Sequence, residues 1–312
     1  MSDMDDTKPA PGAGPDSGAS GHGMGDPDGS PTAARFFPEG SFEGKVVVVT
    51  GGGTGLGLEI SRAYAALGAT VVVPSRTPGN QSAFLDEAKA RGWKAAGAQV
   101  DVREPDAVRR LAEGIETDHG PIDILINNAA GNFVCPAERM SSNAWRAVLG
   151  IVLDGTFYCS KEFGKQMMRS GRGGSICNVI ATYAWTGMPG VVHSASAKAG
   201  VLAMSKTLAV EWARHNIRVN CVAPGPFESD GAKQNLWPSE EVEQRIRSSV
   251  PLRRFADRDE VSAQILWLTS DAARYVTGAN ITIDGGMSLG AGGMWQPGER
   301  VSRGSRPGRG KA

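Results

Sequence analysis

Short apolar runs alternate along the chain with longer stretches in which apolar residues recur every three or four positions. The longer stretches predict helices, among them Leu56–Leu67, Trp145–Met168 and Ala195–Arg214. Because the short runs are apolar throughout, they indicate the strands of a parallel sheet that is covered on both faces. These predicted strands are Lys45–Thr50, Thr70–Val73, Ala98–Val102, Ile122–Asn127, Ser175–Ile180, Arg218–Ala223 and Asn280–Asp284.

The regular alternation of strand and helix predicts the fold class: α/β, a single doubly wound Rossmann-type domain with a seven-stranded parallel sheet. The length of 312 residues suits one large domain and by itself would also allow two. In this architecture a ligand binds at the carboxyl ends of the strands, so the residues that follow each strand are the first candidates for a site.

Two tails flank the predicted domain, which we place at residues 37–295. Residues 1–36 are rich in Gly, Pro, Ser and Asp, and we expect them to be disordered because they can bury little apolar surface. Residues 296–312 form a basic tail that we expect to be flexible; an arm that touches phosphate or nucleic acid is the alternative.

Composition excludes several classes of protein. The 33 basic residues balance the 33 acidic ones, so the net charge gives no general attraction to nucleic acid or to an anionic membrane. No run approaches the roughly 18 apolar residues that span a bilayer, and the N-terminus lacks a secretory pattern. Isolated cysteines, without metal-type pairing, predict reduced thiols, no metal site and a cytoplasmic protein; they are Cys135, Cys159, Cys177 and Cys221.

A glycine-rich turn separates the first predicted strand from the first predicted helix. Residues 50–57 read Thr-Gly-Gly-Gly-Thr-Gly-Leu-Gly. Glycines let the backbone approach a pyrophosphate, and the start of the helix offers free N–H groups to it. We therefore expect a dinucleotide to bind at Gly51, Gly53, Thr54, Gly55, Leu56 and Gly57.

The end of the second strand predicts which dinucleotide binds. A site for NAD usually has a carboxylate there, which would repel a 2′-phosphate. This chain has Ser75 at that position, followed by Arg76, whose guanidinium suits a phosphate. The sequence therefore favours NADP(H).

The glycine turn, together with residues 193–198 (His-Ser-Ala-Ser-Ala-Lys), resembles the short-chain dehydrogenase/reductase family. Most members have Tyr-x-x-x-Lys at this point, with the tyrosine as the general acid. Here Ser194 stands in the tyrosine position and only Lys198 is kept, while Asp154 and Ala181 replace the family's Asn and Ser. Because a serine hydroxyl is too weak an acid to replace the phenol, ordinary ketone chemistry is disfavoured.

The family resemblance implies further contacts and an assembly. It implies that Asp101 and Val102 hold the adenine ring, that Asn128 borders the cofactor, and that Lys198 holds the nicotinamide ribose. It places a loop beside the nicotinamide, made of Pro224, Gly225, Pro226 and Phe227. It also implies a homotetramer.

Three unusual runs point to one branch of that family. Residues 127–133 (Asn-Asn-Ala-Ala-Gly-Asn-Phe), 181–184 (Ala-Thr-Tyr-Ala) and 193–200 together resemble the NADPH-dependent 2,4-dienoyl-CoA reductases, and the resemblance covers about residues 42–286. It implies an acyl-CoA substrate that contacts Arg103, Phe133 and Ser141. The catalytic residues that it implies are Asn132, Tyr183, Ser194 and Lys198.

In that branch, hydride adds to C5 of a conjugated thioester and a proton to C2, which gives a trans-3-enoyl-CoA during the oxidation of unsaturated fatty acids. Tyr183 and Asn132 suit the negative charge that develops on the thioester oxygen. Two positions depart from the branch: Asp154 replaces its Asn, and Asn235 stands where relatives have an arginine. The segment Glu228–Pro251, which contains Trp237, is expected to be a substrate lid.

Other interpretations stay open at the level of sequence. A trans-2-enoyl-CoA reductase is the neighbouring activity, and an NADPH-binding scaffold without catalysis is the alternative from another class. Asn132 and Ser194 are residues that often cap turns and helices, and Tyr183 has the alternative of an ordinary loop aromatic. His193 is expected to be structural or at the surface rather than catalytic.

Overall fold

A computed structural model describes residues 32–227 and 239–289. Seven strands form one parallel sheet in the order β3-β2-β1-β4-β5-β6-β7, which confirms the predicted fold class. The chain reverses direction across the sheet between β1 and β4, and this is the switch point at which doubly wound folds bind ligands. The strands are β1 Val46–Val49, β2 Thr70–Ser75, β3 Ala95–Gln99, β4 Ile124–Asn127, β5 Gly174–Val179, β6 Ile217–Pro224 and β7 Asn280–Ile283.

Helices cover both faces of the sheet. They are α1 Gly55–Ala66, α2 Gly79–Arg91, α3 Pro105–His119, α4 Ser142–Leu149, α5 Gly155–Ser170, α6 Tyr183–Thr186, α7 Val192–Trp212, α8 Glu240–Ser249 and α9 Arg258–Thr269. No helix in the described part of the chain is long and apolar enough to cross a membrane.

Successive residues of the central strands supply two separate cores. Val46 and Val48 of β1 belong to the core under α3, α5 and α7, whereas Val47 and Val49 belong to the core under α1 and α9. Side chains alternate between the faces of a strand, and helices cover both faces, so all four are buried. This explains why β1 is apolar at every position.

A chain of buried polar side chains crosses the centre of the sheet. Asn127 of β4 donates to Asn178 of β5 at 2.8 Å and to Ser160 of α5 at 3.0 Å. Asn178 in turn donates to Ser205 of α7 at 2.8 Å. These hydrogen bonds therefore connect two neighbouring strands to the two long helices on the same face.

The predicted bounds of the third strand were wrong. The third strand, predicted at Ala98–Val102, is Ala95–Gln99, because it runs alongside Val71–Ser75 of β2. Val100 and Val102 lie beyond it and are buried as loop residues, which gives the same apolar signal as a strand. At the N-terminus, Thr32–Phe36 form a 3₁₀ turn with Ala33 completely buried, so the ordered domain begins before residue 37.

The predicted helix Trp145–Met168 is interrupted. A π-helical turn, Gly150–Asp154, separates α4 from α5. The helix predicted at Ala195 begins three residues earlier, at Val192, with Val191 as its N-cap. Ser194 therefore lies inside the first turn, so the alternative that it is a simple N-cap was wrong.

Several expectations fall on positions about which the structure gives no description. These are most of the N-terminal tail, all of the C-terminal tail, and residues 228–238 of the expected lid, which include Asn235 and Trp237. The described end of the expected lid forms α8.

Candidate active site

The glycine turn has the close packing that its sequence predicts. A Cβ atom on Gly57 would lie 2.2 Å from the carbonyl oxygen of Gly51, and one on Gly53 would lie 1.9 Å from that of Asn80. Thr54 precedes α1 without a side-chain capping bond, and a Cβ on Gly55 would meet open space. The first amides of α1 are therefore available to an anion, as a pyrophosphate requires.

Asn128 and Thr50 hold this turn in place. Asn128 Nδ2 donates to the carbonyl oxygens of Thr50 at 3.1 Å and Gly51 at 3.4 Å. The Thr50 hydroxyl accepts the backbone N–H groups of Asn128 and Ala129, each at 3.0 Å. The segment after β4 is thus bonded directly to the segment after β1, across the switch point of the sheet.

Ser75 and Arg76 lie where the second strand ends. The Ser75 hydroxyl donates to the carbonyl oxygen of Thr77 at 3.1 Å, and Arg76 is exposed. Gln99, at the end of β3, donates to the carbonyl oxygen of Arg76 at 3.3 Å and so holds its backbone. The position is free of a carboxylate and carries an accessible guanidinium.

Asp101 and Arg103, for which the sequence implies separate ligands, are bound to each other. Arg103 Nε lies 3.0 Å from each oxygen of the Asp101 carboxylate, and Nη2 lies 2.5 Å from Oδ2. The backbone N–H of Arg103 also donates to Oδ1 at 3.0 Å. These hydrogen bonds from Arg103 hold the pKa of the Asp101 carboxyl below its ordinary value. The stem of Arg103 lies over Gly150, at the start of the π-helical turn.

Asn132, Tyr183 and Ser194 converge at the carboxyl ends of β4 and β5. Tyr183 is the first residue of α6, and its hydroxyl lies 3.1 Å from the Ser194 hydroxyl and 3.5 Å from Asn132 Nδ2. Burial raises the pKa of the Tyr183 phenol, and the bonds to Ser194 and Asn132 oppose that rise. The phenol therefore keeps its proton at neutral pH and is a donor.

Lys198 lies one helical turn after Ser194 and is buried. Its Nζ donates to the carbonyl oxygen of Val179 at 2.5 Å, at the end of β5. Burial lowers the pKa of Lys198 to about 8, so most of the population carries a positive charge at pH 7. The structure brings Lys198 to the strand end beside the cluster of Asn132, Tyr183 and Ser194.

The remaining predicted contacts have structural partners of their own. The Ser141 hydroxyl caps α4 by accepting from Ala144 N at 3.1 Å. Asp154, in the π-helical turn, is exposed. In the loop after β6, Gly225 N donates to the carbonyl oxygen of Ile283 at 2.8 Å, and Phe227 forms an isolated bridge with Ala256. That bridge joins the loop to the segment that precedes α9.

Sequence reasoning missed the place of His193 at this site. Its ring is completely buried and stands perpendicular to the ring of Phe133, with centroids 4.5 Å apart. Its Nδ1 accepts the backbone N–H of Ser194 at 2.8 Å. The signal was its position beside Ser194 at the start of the helix, but the partner Phe133 is distant in sequence.

Comparison with known proteins gives a consistent family. A family model described as Enoyl-(Acyl carrier protein) reductase matches residues 51–288. A probable 2,4-dienoyl-CoA reductase of Bacillus subtilis, named as producing (2E)-enoyl-CoA, is 43 % identical over 248 residues, 79 % of this chain and 98 % of the relative. The peroxisomal 2,4-dienoyl-CoA reductase of Pongo abelii, named as producing (3E)-enoyl-CoA, is 38 % identical over 261 residues, 83 % of this chain and 89 % of the relative.

Solved structures agree with this family. A short chain dehydrogenase from Bacillus anthracis has a TM-score of 0.70 and 47 % identity, and the match covers 79 % of this chain and 97 % of that one. A gluconate 5-dehydrogenase from Burkholderia cenocepacia, in complex with NADP and tartrate, has a TM-score of 0.75 and 28 % identity, with 79 % and 96 % covered.

Proposed function

Because the chain belongs to the short-chain dehydrogenase/reductase family, we propose that it is an NADPH-dependent 2,4-dienoyl-CoA reductase. One observation carries the proposal: Asn132, Tyr183 and Ser194 lie together, and Ser194 has the position at which most of the family has its tyrosine. The names of the curated relatives support the same activity.

The cluster suits a reaction in which charge develops away from the carbon that receives the hydride. When hydride adds to the distal end of a conjugated thioester, the electrons move through the double bonds to the thioester oxygen. Tyr183 Oη and Asn132 Nδ2, 3.5 Å apart, are two donors that can hydrogen-bond this oxygen together. Donors that are already in place stabilise such an oxyanion without reorganising as the charge forms.

Ser194 and Lys198 support this pair from α7. If the Ser194 hydroxyl donates its proton to Tyr183 Oη, the Tyr183 proton is left to donate to the thioester oxygen. The positive charge of Lys198, in a buried position, favours a negative charge on the substrate. We assign Lys198 a second role in holding the nicotinamide ribose.

The residues at the switch point fit a nicotinamide dinucleotide. The pyrophosphate would bind at the start of α1, to the turn of Gly51, Gly53, Thr54, Gly55, Leu56 and Gly57. Asn128 stabilises this turn by its hydrogen bond to Thr50. Ser75 and Arg76 favour a 2′-phosphate, so NADPH is the proposed form. When bound, it supplies the hydride. Asp101, Val102 and the loop of Pro224, Gly225, Pro226 and Phe227 would border the adenine and nicotinamide ends.

For the substrate, we propose contacts from Arg103 and Phe133, with Ser141 as a further contact. Arg103 is suited to a phosphate of coenzyme A, but it would have to share or leave the carboxylate of Asp101. We therefore expect binding of coenzyme A to weaken the ion pair between Arg103 and Asp101.

The position of protonation decides the product. Protonation of the dienolate at C2 gives a 3-enoyl-CoA, and protonation at C4 gives a 2-enoyl-CoA. We propose C2, with water as the proton source, because Tyr183 is committed to the thioester oxygen. The names of the relatives include both products, so the product itself has to be identified.

The test is a stopped assay with purified protein, NADPH and a 2,4-dienoyl-CoA. The expected result is loss of NADPH absorbance together with a trans-3-enoyl-CoA identified by proton NMR. NADPH binding without any dienoyl-CoA turnover would refute the proposal and favour a scaffold without catalysis.

A trans-2-enoyl-CoA reductase is the second candidate, because the matching family model is described as an enoyl reductase. The same assay with a trans-2-enoyl-CoA separates the two activities. A larger kcat/KM for the 2-enoyl substrate than for the 2,4-dienoyl substrate would favour this second candidate.

A further inference from the structure

His193 makes a contact on each side of the cluster that we assign to the thioester oxygen. It is the second residue of α7, and its side chain is completely buried. On one side its Nδ1 accepts the backbone N–H of Ser194, and on the other its ring packs against Phe133.

The bond to Ser194 determines the tautomer of the neutral ring. A ring nitrogen that accepts a hydrogen bond carries no proton, so the proton is on Nε2. Within the described part of the chain, Nε2 is buried without a hydrogen-bond partner. Most buried polar atoms in proteins have a partner, so this arrangement is costly for stability. A cost of this kind is often found where a side chain serves the site rather than the core.

Phe133, which packs against His193, is also hydrogen-bonded to Asn132. The backbone N–H of Phe133 donates to Asn132 Oδ1 at 3.0 Å. This bond occupies the oxygen of the amide and turns Nδ2 towards Tyr183 Oη. A shift of the Phe133 ring would therefore move the backbone N–H that sets the direction of the Asn132 amide.

We propose that His193 is a positioning residue: its ring holds the segment of Phe133 and Asn132 at a fixed distance from the first turn of α7, which carries Ser194. The proposal rests on the proposed function, since it assigns to this spacing the alignment of the two donors on one thioester oxygen. In the described part of the chain, no hydrogen bond joins the His193 ring to either donor atom.

Two substitutions separate the two contacts. His193→Asn keeps an acceptor oxygen near the Ser194 N–H but removes the ring, whereas His193→Phe keeps a ring against Phe133 but removes the acceptor. For both variants we expect kcat to fall about 10- to 100-fold, with an unchanged Kd for NADPH, because a displacement of about 1 Å is enough for such a loss. The matched control is Phe163→Leu, a completely buried residue of α5, which should lower thermal stability and leave kcat unchanged.

A crystal structure of each variant supplies a readout that does not depend on activity. We expect the separation of Asn132 Nδ2 and Tyr183 Oη to increase from 3.5 Å in at least the Asn variant. Unchanged kcat, or a cluster with unchanged geometry, would overturn the proposal. If the wild-type protein does not turn over dienoyl-CoA, the proposed reaction fails, and the geometry of the variants still decides whether His193 positions the cluster.

Discussion

Tyr183 is the residue at which the chemistry of this chain departs most from the usual family pattern. The phenol comes from the segment after β5 instead of from α7, and it keeps its hydrogen bond to the helix through Ser194. Its partner Asn132 comes from the segment after β4. One loop and two helices therefore supply the three groups: Asn132 follows β4, Tyr183 begins α6 after β5, and Ser194 lies on α7.

We expect Tyr183→Phe to lower kcat by about 10²- to 10³-fold, because it removes one oxyanion donor from a buried site. The Kd for NADPH should not change, since the phenol is assigned to the substrate. Steady-state kinetics and a fluorescence titration measure the two quantities. Tyr275→Phe is the control, as Tyr275 is fully exposed. Equal kcat values for the two variants would contradict the role of Tyr183.

Lys198 predicts a loss of activity at alkaline pH. Burial lowers its pKa to about 8, so its positive charge disappears above that pH. We expect kcat/KM for the dienoyl-CoA to fall above about pH 8, by up to tenfold per pH unit. The stability changes in the opposite direction. The folded state binds fewer protons than the unfolded state between pH 8 and 10.5, so this group makes the free energy of unfolding rise with pH there.

A pH series of kcat/KM checks the expected fall in activity, and urea unfolding at the same pH values checks the expected rise in the free energy of unfolding. In Lys198→Met the alkaline decrease assigned to this group should be absent from the residual activity. A wild-type profile that is flat between pH 7 and 10 would show that the charge of Lys198 does not act in the reaction.

Arg76 predicts the choice of cofactor. Loss of a charge-assisted hydrogen bond costs about 1.5–3 kcal/mol, so Arg76→Ser should weaken NADPH binding by about 10- to 100-fold. NADH binding should change little, because NADH lacks the 2′-phosphate. Isothermal titration measures both constants, with the exposed Arg110→Ser on α3 as the control. An equal loss for both cofactors would contradict a contact with the phosphate.

At the scale of elements, the long helices α5 and α7 are held to the sheet by polar as well as apolar contacts. Asn178 stands at the centre of the buried chain that links Asn127, Ser160 and Ser205. The same helix α7 carries Ser194 and Lys198. Hydrogen bonds inside the core thus contribute, with apolar packing, to holding the helix that bears the site.

We expect Asn178→Ala to lower the free energy of unfolding by about 1–3 kcal/mol, because it removes one buried hydrogen bond from each of Asn127 and Ser205. Urea unfolding followed by circular dichroism measures the change. Thr207→Ala removes an exposed bond within α7 and should change stability by less than about 0.5 kcal/mol. A similar small effect for Asn178→Ala would show that the buried chain contributes little.

At the scale of the whole molecule, the sheet order brings distant segments to a single edge. The strands β1, β4 and β5 are adjacent, so the glycine turn, Asn132 and Tyr183 lie at the same edge of the sheet although they are far apart in sequence. The two outer faces of the long helices carry exposed apolar residues, Phe157 on α5 and Val210 on α7. We propose that these faces pack against other copies of the chain in a homotetramer.

Sedimentation velocity tests this assembly. We expect the wild-type protein to sediment at four times the chain mass of 32.7 kDa. Phe157→Glu and Val210→Glu should shift the population to smaller species, because a buried unpaired charge is unfavourable in an interface. Arg110→Glu, on the exposed side of α3, is the control. A monomeric wild-type protein would contradict the proposal.

The sequence by itself determined the order of strands and helices, the doubly wound class and the segments from which a site would be built. These features follow from local periodicity and from the glycine turn, and both patterns involve only residues that are close together in sequence. The prediction was weakest where periodicity gave no clear signal. At β3, buried valines of the following loop have the same apolar pattern as a strand. In the predicted long helix, the pattern did not indicate the π-helical turn.

Only the tertiary structure decided which side chains meet. Asn132 and Tyr183 are 51 residues apart, and the Asp101 carboxylate is bound by Arg103 instead of standing free. His193, which the sequence alone assigned to a structural or surface position, lies buried between Ser194 and Phe133. Contacts of this kind depend on which strands are neighbours and on how each helix crosses the sheet, and no local pattern encodes these relations.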